Sequence, residues 1–186
     1  MISPENSPIF LIGYMAAGKS TLGRALAAAR PALRFIDLDA EVEAVAGRSI
    51  AEIFAVDGEQ AFRNLETDVL RRVAAPGTII ACGGGTPCRT ENMDFMLSAG
   101  RVIWLRANID ITLQRLLEAP AGSRPLVDSL RADPAALRER ALTMQRERAP
   151  HYSRATAEFD SSRLDTVEQV AESVDIFLNR FIDSHN

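Results

Sequence analysis

Eight consecutive residues constrain the fold of this chain more than any others. Gly13-Tyr14-Met15-Ala16-Ala17-Gly18-Lys19-Ser20 fits the pattern Gly-x4-Gly-Lys-Ser. The apolar run Ile9 to Ile12 with strand character precedes it, and Leu22, Ala25, Leu26 and Ala29 follow at helical spacing. The order is strand, glycine loop, helix. In such a loop the backbone N–H groups turn inward around a phosphate chain, and the helix that follows aims its positive end at the same place. Lys19 would reach the β- and γ-phosphates, and the Ser20 hydroxyl would meet Mg²⁺. The alternative is a plain strand-to-helix turn.

Lys19 has a second claim to notice. The chain carries 21 basic residues, and Lys19 is the only lysine among them. A sequence that uses arginine everywhere else keeps lysine where a compact point charge is needed and a planar guanidinium would not serve. A guanine-specific Asn-Lys-x-Asp segment is excluded on the same count.

Short strands and helices alternate through the rest of the chain. Phe35-Ile36 reads as a second strand with Asp37-Leu38-Asp39 at its carboxyl end, and helical patterns follow. Ser49-Ile50-Ala51-Glu52 is a capping box, and Gly58 to Ala74 places Phe62, Leu65, Val69, Leu70 and Val73 on one helical face. Thr78 to Cys82 is a third strand, ending in Gly83-Gly84-Gly85. Arg101 to Leu105 is a fourth, followed by a helix over Ile109 to Leu117. Asp133-Pro134 opens another helix, Ala155 to Phe159 is a fifth strand, and Thr166 caps a final helix through about Ile182. This alternation predicts an α/β fold of three layers, α/β/α, around a five-stranded parallel sheet. Ligands in such sheets collect beyond the carboxyl ends of the strands, where the loop at 13–19, Asp37 to Asp39 and the glycine triplet all fall.

The length of 186 residues is enough for a single domain with a substantial core. Hydrophobic residues at 47% and charged residues at 25% exclude wholesale disorder and a small disulfide scaffold. The net charge of −4 argues against a dedicated nucleic-acid binder. No apolar run approaches membrane-spanning length and the N-terminus has no basic leader, so a cytoplasmic protein without membrane association is expected. Cys82 and Cys88 are too few for a zinc site or a disulfide framework and read as inert thiols.

Several polar groups carry two readings each. Asp37 and Asp39, two apart, would point to the same side of an extended strand end, one supporting a metal and one accepting a proton. Asp39 read as a helix cap is the alternative. Arg63 and Glu66 lie one helical turn apart, as an exposed pair or as part of a site. Three consecutive glycines at 83–85 suit a close approach of backbone to a ligand, or simply a flexible turn. About residues 119–132, with Pro120, Gly122 and Pro125, no period is visible, and this stretch reads as a mobile lid carrying Arg124. Arg148 ends a helix rich in arginine, so a solvated face stands beside a functional role. Trp104 reads as core.

Taken together these segments resemble the shikimate kinases, a family within the nucleoside-monophosphate-kinase-like P-loop NTPase fold, from about Ile9 to Ile182. The marks are residues 13–24, Asp-Leu-Asp at 37–39, Gly-Arg-Ser-Ile-Ala-Glu-Ile-Phe at 47–54, Gly-Glu-Gln-Ala-Phe-Arg-Asn-Leu-Glu at 58–66, the glycine triplet, Arg-Pro-Leu at 124–126 and Arg-Ala-Pro-His-Tyr at 148–152. The resemblance implies transfer of the ATP γ-phosphate to the 3-hydroxyl of shikimate, in aromatic amino acid biosynthesis, by a monomeric enzyme. It implies ATP contacts from Ala16, Ala17, Gly18, Lys19, Ser20, Thr21 and Arg124, and Mg²⁺ held by Ser20 and Asp37. Asp39 would contact the substrate hydroxyls and act as base, with Lys19 and Arg124 as the other catalytic groups. Arg63 and Arg148 would grip the substrate carboxylate, with Gly83, Gly84 and Gly85 lining its site. The helical region about 38–66 would be the substrate-binding part.

The chain also departs from that pattern. Ala16 stands where relatives often have glycine, which stiffens the loop. No acidic residue ends the strand at Ile79 to Cys82, as is usual in the family. Arg115 is the nearest candidate for an arginine stacked on adenine, and Asp160 to Arg163 cannot be assigned. Two alternatives remain: a kinase for gluconate or another small metabolite, which would keep the loop and lose the paired arginines and the glycine triplet, or a silent nucleotide-binding module, which would have lost Lys19, Asp39 or Arg124.

Overall fold

All five strands begin and end within two residues of where the sequence places them, and their composition explains their order. In a computed structural model describing residues 7–118, 129–130 and 132–183, the strands are β1 (Ile9–Ile12), β2 (Arg34–Asp37), β3 (Thr78–Ala81), β4 (Arg101–Arg106) and β5 (Ala157–Asp160). They form one parallel sheet in the order β2-β3-β1-β4-β5. β1 and β3 are buried along their whole length, and such unbroken apolar runs belong in the middle of a parallel sheet covered on both sides. β2 and β5 carry Arg34, Glu158 and Asp160 and take the edges.

The helices are α1 (Lys19–Ala29), α2 (Leu38–Ala46), α3 (Ile50–Val56), α4 (Gly58–Val73), α5 (Thr90–Ala99), α6 (Ile109–Glu118), α7 (Pro134–Tyr152) and α8 (Val167–Phe177). Alternation along β1 divides the core. Ile9 and Leu11 face α1 and α8 through Leu22, Leu26, Val174 and Phe177, while Phe10 and Ile12 face α2, α4 and α5 through Val42, Phe62, Leu70, Met93 and Met96. A third apolar cluster joins Tyr14 to α6 and α7 through Leu116, Leu137, Ala141 and Met144.

Local sequence signals account for several boundaries. Ser49 and Glu52 form the expected reciprocal capping box, and the Asp133 and Thr166 side chains accept from Ala136 N and Gln169 N at the starts of α7 and α8. The final helix is regular only to Phe177. From Leu178 to Ile182 it continues as a wider turn, in which Leu178 and Phe181 stay buried beside Phe177. Helix α5 has no counterpart in the expected pattern. Trp104 is half-buried rather than core, its ring between the Arg106 guanidinium at 4.8 Å and the Tyr152 ring at 5.6 Å. Among the described residues no helix is long and apolar enough to cross a membrane.

The glycine loop contains the one described non-glycine residue with positive φ. Ala16 sits at φ 58°, a left-handed conformation costing an L-residue about 1–2 kcal/mol. Ala16→Gly is expected to raise unfolding free energy by about 1 kcal/mol after allowing for the freedom glycine adds to the unfolded chain. Urea melts of the two proteins measure it; a lower midpoint for the variant would show that packing of the Ala16 methyl outweighs the strain.

Candidate functional site

The carboxyl ends of β1, β2 and β3 open into one cavity of about 770 Å³. That volume suits a small-molecule site, and its walls come from eight segments of the sequence, Ile50 and Phe54 of α3 and Leu164 and Asp165 after β5 among them. The loop after β1 and the start of α1 supply Ala16, Gly18, Lys19, Ser20 and Thr21; the end of β2 supplies Asp37 and the start of α2 Asp39; α4 supplies Phe62, Arg63 and Glu66. Gly83, Gly84 and Gly85 follow β3, Arg115 and Glu118 come from α6, and Arg148 comes from α7. Every expected site residue among those described lines this cavity except Ala17, which is buried beneath the loop. Arg124 and nearly all of the lid segment lie outside the described residues.

At the loop, helix α1 starts at Lys19, with Gly18 before it in a left-handed conformation at φ 85°. The Lys19 ammonium donates to the carbonyls of Gly13 and Tyr14 at 2.9 and 3.0 Å, which holds the charge over the loop. Ser20 Oγ donates to Asp37 Oδ2 at 2.8 Å. A hydroxyl and a carboxylate beside a phosphate loop are hard oxygen donors, and this pair fits Mg²⁺, which takes few protein ligands and keeps several waters.

Asp37 and Asp39 reach the same cavity by a route other than strand alternation. The chain leaves the extended conformation at Asp37, and Asp39 stands in the first turn of α2. Asp39 is not a side-chain cap; the N-cap position is Asp37, without a side-chain cap bond. Burial, followed by the charges of Asp37 and Glu66, pushes the Asp39 carboxyl up to about 6, against the opposing pull of Lys19 and Arg63. A carboxylate poised near neutrality beside a phosphate loop suits proton transfer.

The Arg63–Glu66 pair is not an exposed one. Arg63 Nη1 donates to Glu66 Oε2 at 3.1 Å, and Glu66 has no exposed surface. On its outer side Arg63 also meets Glu59 Oε1 at 3.3 Å. Arg148 is half-buried, so the solvated-face reading fails for it too. The glycine triplet explains itself against these two arginines. A Cβ on Gly84 would stand 2.7 Å from Arg148 Nη1, and one on Gly85 would stand 2.8 Å from Arg63 Nη2. Side chains there would displace both guanidinium groups.

Sequence reasoning leaves Glu66 open between a surface pair and a part of the site, and gives Tyr152 no role of its own. Glu66 shares the face of Phe62, Val69, Leu70 and Val73, and a carboxylate within an apolar stripe was the available signal. Tyr152 lies one helical turn beyond Arg148; its hydroxyl donates to Gly84 O at 2.6 Å and sits beside the Arg148 guanidinium. Arg115 is fastened at the other end of the cavity. It pairs with Asp165 at 2.6 Å and donates to the carbonyls of Ala16, Ser161 and Ser162, tying the unassigned segment after β5 to the glycine loop. Both thiols are free, and burial pushes both up, in keeping with inert cysteines.

Residues 15–179 match the family model described as shikimate kinase. The chain belongs to the shikimate kinase family. A shikimate kinase of Synechococcus sp. is 42% identical over 183 residues, covering 94% of this chain and 92% of that protein. The crystal structure of shikimate kinase from Bacteroides thetaiotaomicron superposes with a TM-score of 0.85 at 34% identity, over 92% of this chain and 96% of that one. A shikimate kinase from Acinetobacter baumannii, solved in complex with shikimate, superposes with a TM-score of 0.76 at 27% identity, over 93% and 92% of the two chains. As a shikimate kinase, the chain is an ATP-dependent phosphotransferase acting on shikimate.

Proposed function

We propose that the cavity holds ATP along the glycine loop and shikimate against the glycine triplet, and that the γ-phosphate passes to the 3-hydroxyl of shikimate. The observation that carries this reading is the convergence of Arg63 and Arg148 on one cavity with Lys19 and Asp39. A small carboxylate acid gives two guanidinium groups a common partner, and charge-assisted pairing fixes its orientation. Ala16, Ala17, Gly18, Lys19, Ser20 and Thr21 hold the phosphate chain, with Lys19 and the α1 N-terminus placed where negative charge gathers. Ser20 and Asp37 would hold Mg²⁺, which would supply neutralisation of the phosphate charge. Asp39 orients the acceptor hydroxyl and takes its proton, while Gly83, Gly84 and Gly85 let substrate and arginines approach the backbone. Arg124, from the lid segment, is assigned to the γ-phosphate on family resemblance. Residues 38–66 form the substrate-binding part of a single domain.

Fixing a neutral hydroxyl in line with a phosphate is mostly positioning and electrostatics, and these groups supply both. The reading includes a monomer, and two free thiols suit the cytoplasm. A coupled ADP-release assay with Mg-ATP tests it. Release is expected with shikimate, to stop on chelation of the metal, and to be far slower with gluconate or a nucleoside monophosphate. Faster turnover of either alternative would refute the assignment.

A further inference from the structure

Beneath the cavity a buried polar chain runs from α5 to Arg63. Thr86, directly after the glycine triplet, is fully buried, and its hydroxyl donates to Glu66 Oε1 at 2.6 Å. The other oxygen of Glu66 receives Arg63 Nη1 at 3.1 Å. Behind Thr86, its carbonyl accepts from Asn92 Nδ2 at 3.1 Å, and Asn92 is fully buried in the first turn of α5.

We propose that Thr86 is a positioning residue for the acceptor substrate, acting through Glu66 on the Arg63 guanidinium. The inference rests on the reading of Arg63 as a clamp for the shikimate carboxylate. The last torsion of a glutamate is broad, so a carboxylate held at one oxygen does not fix the other. Thr86 removes that freedom. It also settles a competition, because Arg63 has a second acceptor in Glu59 Oε1 at 3.3 Å on the exposed side of α4. With Glu66 held, the guanidinium is drawn toward the cavity; with Glu66 loose, Glu59 competes on better terms. The packing leaves little slack. A Cβ on Gly83 would stand 3.1 Å from both Glu66 Oε1 and Thr86 Oγ1, and 2.9 Å from Asp39 Oδ1.

Thr86→Val keeps the shape and deletes the hydroxyl, and Thr86→Ser keeps the hydroxyl. Steady-state kinetics are expected to show the shikimate KM rising roughly tenfold in Thr86→Val, the loss of one hydrogen bond to a charged group. The ATP KM and kcat should change by less than about twofold, and Thr86→Ser should recover most of the parent shikimate KM. Urea midpoints identify a general loss of folding, and Thr86→Cys, whose thiol is a weak donor, gives a second reading expected between Val and Ser. An unchanged shikimate KM in Thr86→Val or Thr86→Cys, a parallel fall of kcat and ATP affinity, or failure of Ser to rescue would overturn the proposal. Arg63→Ala in the same assay separates the two levels. If it too leaves the shikimate KM unchanged, the clamp itself is wrong; if it alone raises that KM, only the role of Thr86 falls.

Discussion

Asp39→Asn is expected to lower kcat for transfer to shikimate by about 10²–10⁴-fold, the range for loss of a general base, and yet to yield a more stable protein at neutral pH. Both effects come from one environment. Burial and the charges of Asp37 and Glu66 hold the Asp39 carboxyl at about 6 in the folded chain, against 3.8 as the ordinary value. Between these two values the folded protein binds the proton more tightly than the unfolded chain, so stability falls as pH rises from about 4 to about 6 and stays lower above. Removing the charge should therefore stabilise the protein by about 2–3 kcal/mol above pH 6, and add little below pH 4. The kinetic sign is opposite. Only the ionised carboxylate accepts the hydroxyl proton, so kcat/KM of the parent should climb as pH passes through about 6 and then level. Urea melts at pH 4 and 7.5, with a pH–rate profile, measure all three quantities. A variant retaining more than a tenth of parent kcat would make Asp39 an orienting group only, and a stability difference indifferent to pH would mean that burial of its charge is not what costs stability.

The parts of the site that could be read from the sequence are those whose chemistry is local. The glycine loop needs its strand, its turn and its helix within 21 residues, so Gly13 to Ala29 declares itself. Glu66 did not, because a carboxylate three residues after an arginine usually decorates a surface, and only the packing of α4 against the sheet and against Thr86 makes it a buried anchor. Asp37 and Asp39 were assigned to one cavity correctly but through the wrong geometry, since the strand gives way to a helix between them. Helix α5 is absent from the sequence reading, which gives residues 86–100 no element, and Asn92 in its first turn is buried with a hydrogen bond to Thr86 O. The meeting of Arg63 with Arg148 is a product of topology: α4 and α7 are far apart in sequence, and the parallel sheet brings both to the ends of the same strands.

Arg148→Ala is expected to raise the shikimate KM by about 10²–10³-fold with the ATP KM nearly unchanged, the usual cost of removing one partner of a desolvated charge pair. The two arginines should differ in what else is lost. Arg63 is met by Glu66 and Glu59, whereas no described carboxylate pairs with Arg148, whose neighbours are the Gly84 backbone and the Tyr152 hydroxyl. That hydroxyl is itself pushed up to about 12, chiefly by burial, and donates its proton to Gly84 O, so it offers no negative charge. Arg148 is thus a half-buried cation without a carboxylate partner among the described residues, as the proposed binding of a substrate carboxylate requires. Deleting it leaves no buried carboxylate without its cation and removes only a hydrogen bond to the Tyr152 hydroxyl, so the urea midpoint should fall little. Arg63→Ala leaves Glu66 buried without its cation and should cost about 3 kcal/mol of stability in addition to substrate affinity. Arg148→Lys should restore only part of the affinity, because an ammonium lacks the planar pair of donors that a carboxylate accepts. Equal kinetic losses accompanied by equal losses of stability in Arg63→Ala and Arg148→Ala would mean that both guanidinium groups serve the packing of α4 and α7, and that no substrate carboxylate is held between them.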